Sequence, residues 1–113
     1  MQGVYLKFYV QENRRHHGIL AYEWLLETAR KLGIHGGSAF RAIAGFGRHG
    51  RLHEEHFFEL AGDLPVEVGF ALTEEEAQRL LAHLAGEKLR MVYLKVPLEM
   101  GIVGDEPPPG PGP

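Results

Sequence analysis

The chain has 113 residues, 44% of them hydrophobic and 24% charged, the usage of one globular domain with a packed core. Its formal net charge of -3 argues against nonspecific nucleic-acid binding, so any anion site has to be a local cluster of arginines. Cysteine is absent, which excludes disulfides and thiolate chemistry, and no apolar run has the length of a secretory leader or a membrane span, so a cytoplasmic location is expected.

Val4, Leu6, Phe8 and Val10 alternate with Tyr5, Lys7 and Tyr9, the period of a strand whose second face is not properly polar. After a polar joint from Glu12 to Gly18, a helix is predicted over Ile19 to Leu32, with Tyr22, Leu25, Leu26, Ala29 and Leu32 at helical spacing and Gly33 as its stop. Gly36 and Gly37 make a turn, and Ser38 to Phe46 reads as a second strand. The stretch from Gly47 to Gly62 mixes charge and histidine with Leu52, Phe57, Phe58 and Leu60. A connection this long is usually functional.

A third strand follows, with Val66, Val68, Phe70 and Leu72 alternating with Glu67, Gly69 and Ala71. Thr73 to Glu76 has the pattern of a capping box, so a second helix starts there, with Ala77, Leu80, Leu81 and Leu84 as its buried stripe and Gly86 as its end. Met91 to Val96 is the fourth strand, closed by Pro97. The order is that of an α+β, ferredoxin-like βαββαβ domain: a four-stranded antiparallel sheet with two helices on one face. The domain is expected to fill residues 1–103, and the Pro/Gly-rich segment 104–113 to be a disordered tail. The sheet's other face carries Tyr5, Tyr9 and more apolar side chains. A lone monomer would leave that patch in water, and oligomerisation would cover it.

Three constellations have the residue types for chemistry. Arg14, Arg15, His16 and His17 stand just before the first helix, where cations oppose the helix dipole; either a bound anion compensates them or they point into water from a solvated turn. Arg41, Gly45, Phe46, Gly47 and Arg48 combine glycines that admit a close ligand, guanidinium groups suited to phosphate and a flat ring for a base. The plain alternative is an ordinary strand-to-loop junction. His49, His53 and His56 would share one face of a helix and could ligate zinc or copper, though histidines in a charged loop are more often only polar surface. The chain has one serine, Ser38, and two threonines, Thr28 and Thr73, which leaves little for nucleophilic catalysis. No enzyme activity and no required cofactor are expected.

The segments Arg15–Gly18 (RHHG), Ala39–Gly47 (AFRAIAGFG), Arg51–His53 (RLH) and Asp63–Val68 (DLPVEV), with their order and spacing up to about Val96, resemble the family called domain of unknown function 190. That resemblance implies a PII-like homotrimer related to PII signalling and CutA-type proteins. It further implies a trimeric regulatory protein that senses a small anionic ligand, an adenine nucleotide first among the candidates, in clefts between subunits. The ligand residues implied are Gly45, Phe46, Gly47 and Arg48, to which the arginine clusters add Arg14 and Arg41, and signalling would pass to a partner protein through loop 47–62. Members are often encoded beside fluoride-exporter channels, which implies a membrane channel or transporter as partner. The chain departs from PII proteins in lacking a tyrosine and a glutamine in residues 48–62, and in having only Gly86-Glu87-Lys88 where they carry a glycine-rich phosphate motif. A CutA-like protein binding divalent metal through His49, His53 and His56 is the alternative from another class.

Overall fold

A computed structural model describes residues 1–45 and 64–104. Chain order is β1 (Gln2–Gln11), β2 (Arg15–His16), β3 (Ile19–Leu20), α1 (Ala21–Lys31), β4 (Ser38–Arg41), β5 (Pro65–Leu72), α2 (Glu74–Ala85) and β6 (Val92–Glu99). The main sheet runs β4-β5-β1-β6, and each neighbouring pair is antiparallel. This is the ferredoxin-like arrangement that the sequence predicts, with a small β2-β3 hairpin added before α1.

Register decides which side of the sheet is buried. Leu6 opposes Phe70 on β5 and Lys95 on β6, so Val4, Leu6, Phe8 and Val10 face the helices with Val66, Val68, Phe70 and Leu72. Against them pack Ala21, Leu25 and Ala29 of α1 and Ala77, Leu80 and Leu84 of α2. The opposite face carries Tyr5, Lys7 and Tyr9 of β1 beside Val96, Leu94 and Val92 of β6. Those three β6 side chains are 49%, 45% and 40% exposed, an apolar stripe in water. Lys7 is neutralised within this face: its ammonium lies 2.9 Å from the Glu67 carboxylate, between the rings of Tyr5 and Tyr9. The hydrogen bond with Lys7 holds the Glu67 carboxyl below its ordinary range, and the same bond raises Lys7. Gly69 admits Tyr5 flat across β5, since a Cβ there would collide with the tyrosine hydroxyl.

Three boundaries differ from the sequence reading. The first helix begins at Ala21 because Ile19 and Leu20 pair with His16 and Arg15. His17 (φ 53°) and Gly18 (φ 82°) supply the two positive φ values of a tight, primed hairpin turn. The hairpin also replaces a side-chain cap: Leu20 offers none, and the Ala21 N–H donates to the Arg14 carbonyl instead. The second strand ends at Arg41, where only the Ala42 N–H still reaches the Pro65 carbonyl, rather than running on to Phe46. The fourth strand continues through Pro97 to Glu99, which is tolerable because β6 is an edge strand among the described residues and needs no proline N–H on its outer side.

Helix ends follow their local sequence closely. Gly33 (φ 88°) closes α1: its N–H donates to the Arg30 carbonyl and that of Ile34 to the Ala29 carbonyl, a Schellman pair. At α2 the capping box is complete. The Glu76 N–H donates to Thr73 Oγ1 at 3.1 Å and the Thr73 N–H donates to Glu76 Oε1 at 2.9 Å. Replacing Thr73 by alanine leaves a helix-start N–H without this acceptor, and a loss of about 1 kcal/mol is expected in a denaturant titration. Thr73→Ser, which keeps the hydroxyl, is expected to recover most of it.

Candidate functional site

One end of the sheet gathers three of the residues singled out by the sequence, Arg14, Arg41 and Gly45. β1 and β4 finish there, β5 and β6 begin there, and Gln11 opposes Pro65 while Tyr9 opposes Val92. The Glu12 N–H donates to the Leu64 carbonyl across the same end. Arg41, the last residue of β4, is exposed and puts a guanidinium nitrogen 2.6 Å from the Glu12 carboxylate. Arg14 is exposed two residues beyond Glu12, its backbone tied on both sides, to Gln11 and to Ala21. Gly45 lies near the start of β5, where an added Cβ would sit 4.0 Å from the Pro65 ring. The fold thus draws Arg14, Arg41 and Gly45 to one rim from separate places in the chain. Phe46, Gly47, Arg48, His49, His53 and His56 lie outside the described residues, as do the segment 47–62 and residues 105–113 of the tail.

The histidines before α1 do not wait for an external anion. His16 Nε2 is 2.9 Å and His17 Nε2 3.0 Å from the same Glu87 oxygen, Oε1, in the connection between α2 and β6. An ionised carboxylate only accepts, so both imidazoles donate through Nε2–H. Those bonds, that with His16 first, hold the Glu87 carboxyl below its ordinary range. The His16 ring packs edge-on against Trp24 at 4.4 Å and lies 4.2 Å from the His17 ring. The side chain of His16 is 10% exposed, that of Glu87 24% and that of His17 63%, so the cluster is closed on the Trp24 side and open on the His17 side. Neither sequence reading of this turn, a bound anion or side chains pointing into water, names the partner the two histidines have here, the chain's own Glu87. Nothing local in the sequence announces Glu87, because the contact spans 70 positions.

A separate open-sided groove of about 460 Å³ lies between α1 and the Ile34–Gly37 turn. Glu23, Glu27, Arg30 and His35 line it, and the Arg30 guanidinium is already paired with Glu27. Among the described residues, no helix is long and apolar enough to cross a membrane.

Comparison with known proteins shows a family and a fold. The sequence profile of the family DUF190, described as uncharacterized, matches residues 3–92. A UPF0166 protein of Aquifex aeolicus is 32% identical over 90 residues, covering 80% of this chain and 86% of the relative. A UPF0166 protein of Methanocaldococcus jannaschii is 32% identical over 79 residues, 70% of this chain and 72% of that one. Among solved structures, a candidate PII-like signalling protein of Thermus thermophilus superposes with a TM-score of 0.58 at 19% identity, covering 86% of this chain and 87% of its own. CPII of Thiomonas intermedia, a nitrogen regulatory PII-like protein bound to ADP, AMP and bicarbonate, superposes with a TM-score of 0.58 at 15% identity over 89% of this chain and 97% of its own. The fold is PII-like.

Proposed function

The chain belongs to the DUF190 family, and from that premise we propose that it is a PII-like regulatory binding protein rather than an enzyme. It assembles as a homotrimer and takes a small anionic ligand, an adenine nucleotide first, in clefts between subunits. Loop 47–62 relays the ligand's presence to a partner protein, for which a membrane channel or transporter is the first choice. The observation that carries this reading is a juxtaposition: an apolar, internally neutralised sheet face stops at the end of the sheet that also carries Arg14, Arg41 and Gly45. A face of that kind suits burial against copies of itself, and a rim arginine now paired with Glu12 can exchange it for a phosphate. Two further points support the reading. CPII, which shares the fold, is a nucleotide-bound regulatory protein. Of the few hydroxyls in the chain, that of Thr73 is occupied in capping α2.

Titration calorimetry with ATP, ADP, AMP and cyclic nucleotides tests it. At least one of them is expected to bind below millimolar concentration. A charge-assisted arginine–phosphate contact is worth roughly 1.5–3 kcal/mol, so Arg41→Ala is expected to weaken that binding about ten- to a hundredfold. Arg48→Ala, in the adjoining segment, is expected to act in the same direction. If no nucleotide binds, or both variants bind as the native protein does, the nucleotide reading fails.

A further inference from the structure

We propose that His16, His17 and Glu87 form a binding site for a divalent transition-metal ion of the zinc and copper class. Two imidazole nitrogens and one carboxylate oxygen stand with their ligating atoms within 4.8 Å of one another. The two oxygen–nitrogen separations, 2.9 and 3.0 Å, are already close to those around a bound ion. With bonds of about 2.0–2.1 Å, a tetrahedral ion holds its ligand atoms roughly 3.3 Å apart, so each oxygen–nitrogen separation opens by a few tenths of an ångström, and the two imidazole nitrogens, within 4.8 Å of each other, come to that distance by rotation of the exposed His17 ring. A mixed nitrogen and oxygen set of this kind suits Zn²⁺ or Cu²⁺ better than Mg²⁺ or Ca²⁺, which favour oxygen alone.

The scaffold holds the set in place from both sides. The primed turn at His17-Gly18 fixes the two adjacent histidines, and Trp24 braces the His16 ring from the buried side. Glu87 is anchored where α2 ends, its N–H donating to the Leu84 carbonyl. Three protein ligands leave a fourth position, and the exposure of His17 directs that position toward solvent. Water fills it in the simplest case, and the site is of the open kind rather than a closed structural one. The ion would fasten the β2-β3 hairpin to the connection after α2.

Binding needs the Nε2 lone pairs, which the hydrogen bonds to Glu87 currently cover with protons. Each imidazole has to carry its proton on Nδ1 instead before Nε2 can bind the ion. This inference stands apart from the nucleotide reading, which calorimetry on metal-free protein tests without it.

Trp24 is the chain's single tryptophan and touches the cluster, so its fluorescence reports on this site. Titration with Cu²⁺ is expected to quench it to saturation at one equivalent per chain, and Zn²⁺ is expected to reverse the quenching by competition. His17→Asn removes one ligand while turning His-Gly into Asn-Gly, the pair that such a turn favours most, so folding is preserved. Glu87→Gln keeps an acceptor for the histidines but loses the carboxylate. Each variant is expected to weaken the Cu²⁺ response by at least about tenfold. The triple variant His49→Ala, His53→Ala, His56→Ala is expected to respond as the native chain does. Absence of saturable quenching, an undiminished response in both single variants, or loss of the response in the triple variant overturns the site.

Discussion

Val96→Asp is expected to convert the proposed trimer into monomers. Val96 opposes Tyr5 on the open face, in a stripe with Val92 and Leu94, and is 49% exposed in the single chain. An aspartate there is solvated as long as the chain is alone and desolvated once the face is covered. The charged group near the centre of this face, Lys7, is already engaged with Glu67, so no ready partner stands opposite. A buried charge without a partner costs about 3–5 kcal/mol, which is more than a hundredfold in an association constant for each copy it enters. Light scattering at micromolar concentration reads the result directly. Ala82→Asp, on the exposed side of α2, carries the same charge change and is expected to stay trimeric. A native protein that scatters as a monomer, or a Val96→Asp variant that scatters as a trimer, removes this face from the assembly.

The largest loss of stability is expected from Phe70→Ala. Phe70 is 1% exposed, meets Phe8 edge to face with ring centroids 6.3 Å apart, and presses on the backbone at Gly37. Removing the ring deletes contacts to β1 and to the turn after α1 at once, and neither side can close the space without moving a strand or a helix. Such a deletion costs about 3–5 kcal/mol. For a domain of this size that corresponds to a fall in melting temperature of roughly 15 °C or more. Association stabilises the folded chain by mass action, so the comparison is made at one protein concentration. Tyr93→Ala is the control: its ring leans on Phe8 but is 47% exposed, and a much smaller loss is expected. A Phe70→Ala variant that melts within a few degrees of the native protein would mean that the helices do not depend on this ring for their seat on the sheet.

Much of this architecture is legible in one dimension because its causes are local. Alternation in β1 and β5 marks the buried face residue by residue, since successive side chains on a strand point to opposite sides. Thr73 to Glu76 announces the start of α2 because both halves of the capping box lie within one turn. Where the sequence reading misplaces a boundary, a partner from another part of the chain decides it. Ile19 and Leu20 continue the helical spacing of α1 backward, yet they pair with Arg15 and His16 once His17 and Gly18 turn the chain. Pro97 reads as a stop, but among the described residues β6 is the last strand of its sheet and continues past it.

The candidate sites divide along the same line. Arginines and glycines around Arg41 and Gly45 stand out by composition alone, and the fold adds that Arg14 and Glu12 join them at one end of the sheet. The histidine pair also stands out, but as cations before a helix. Its partner, Glu87, is one of many glutamates and carries no local mark. Composition and periodicity determined the α+β class, the buried faces and the apolar character of the open one, because each of these depends on neighbours a few positions apart. Only tertiary structure decided that two histidines and a carboxylate 70 positions away share one point in space. That convergence depends on where α2 ends relative to the β2-β3 hairpin, a distance set by packing both elements on the same sheet and by nothing written near either one.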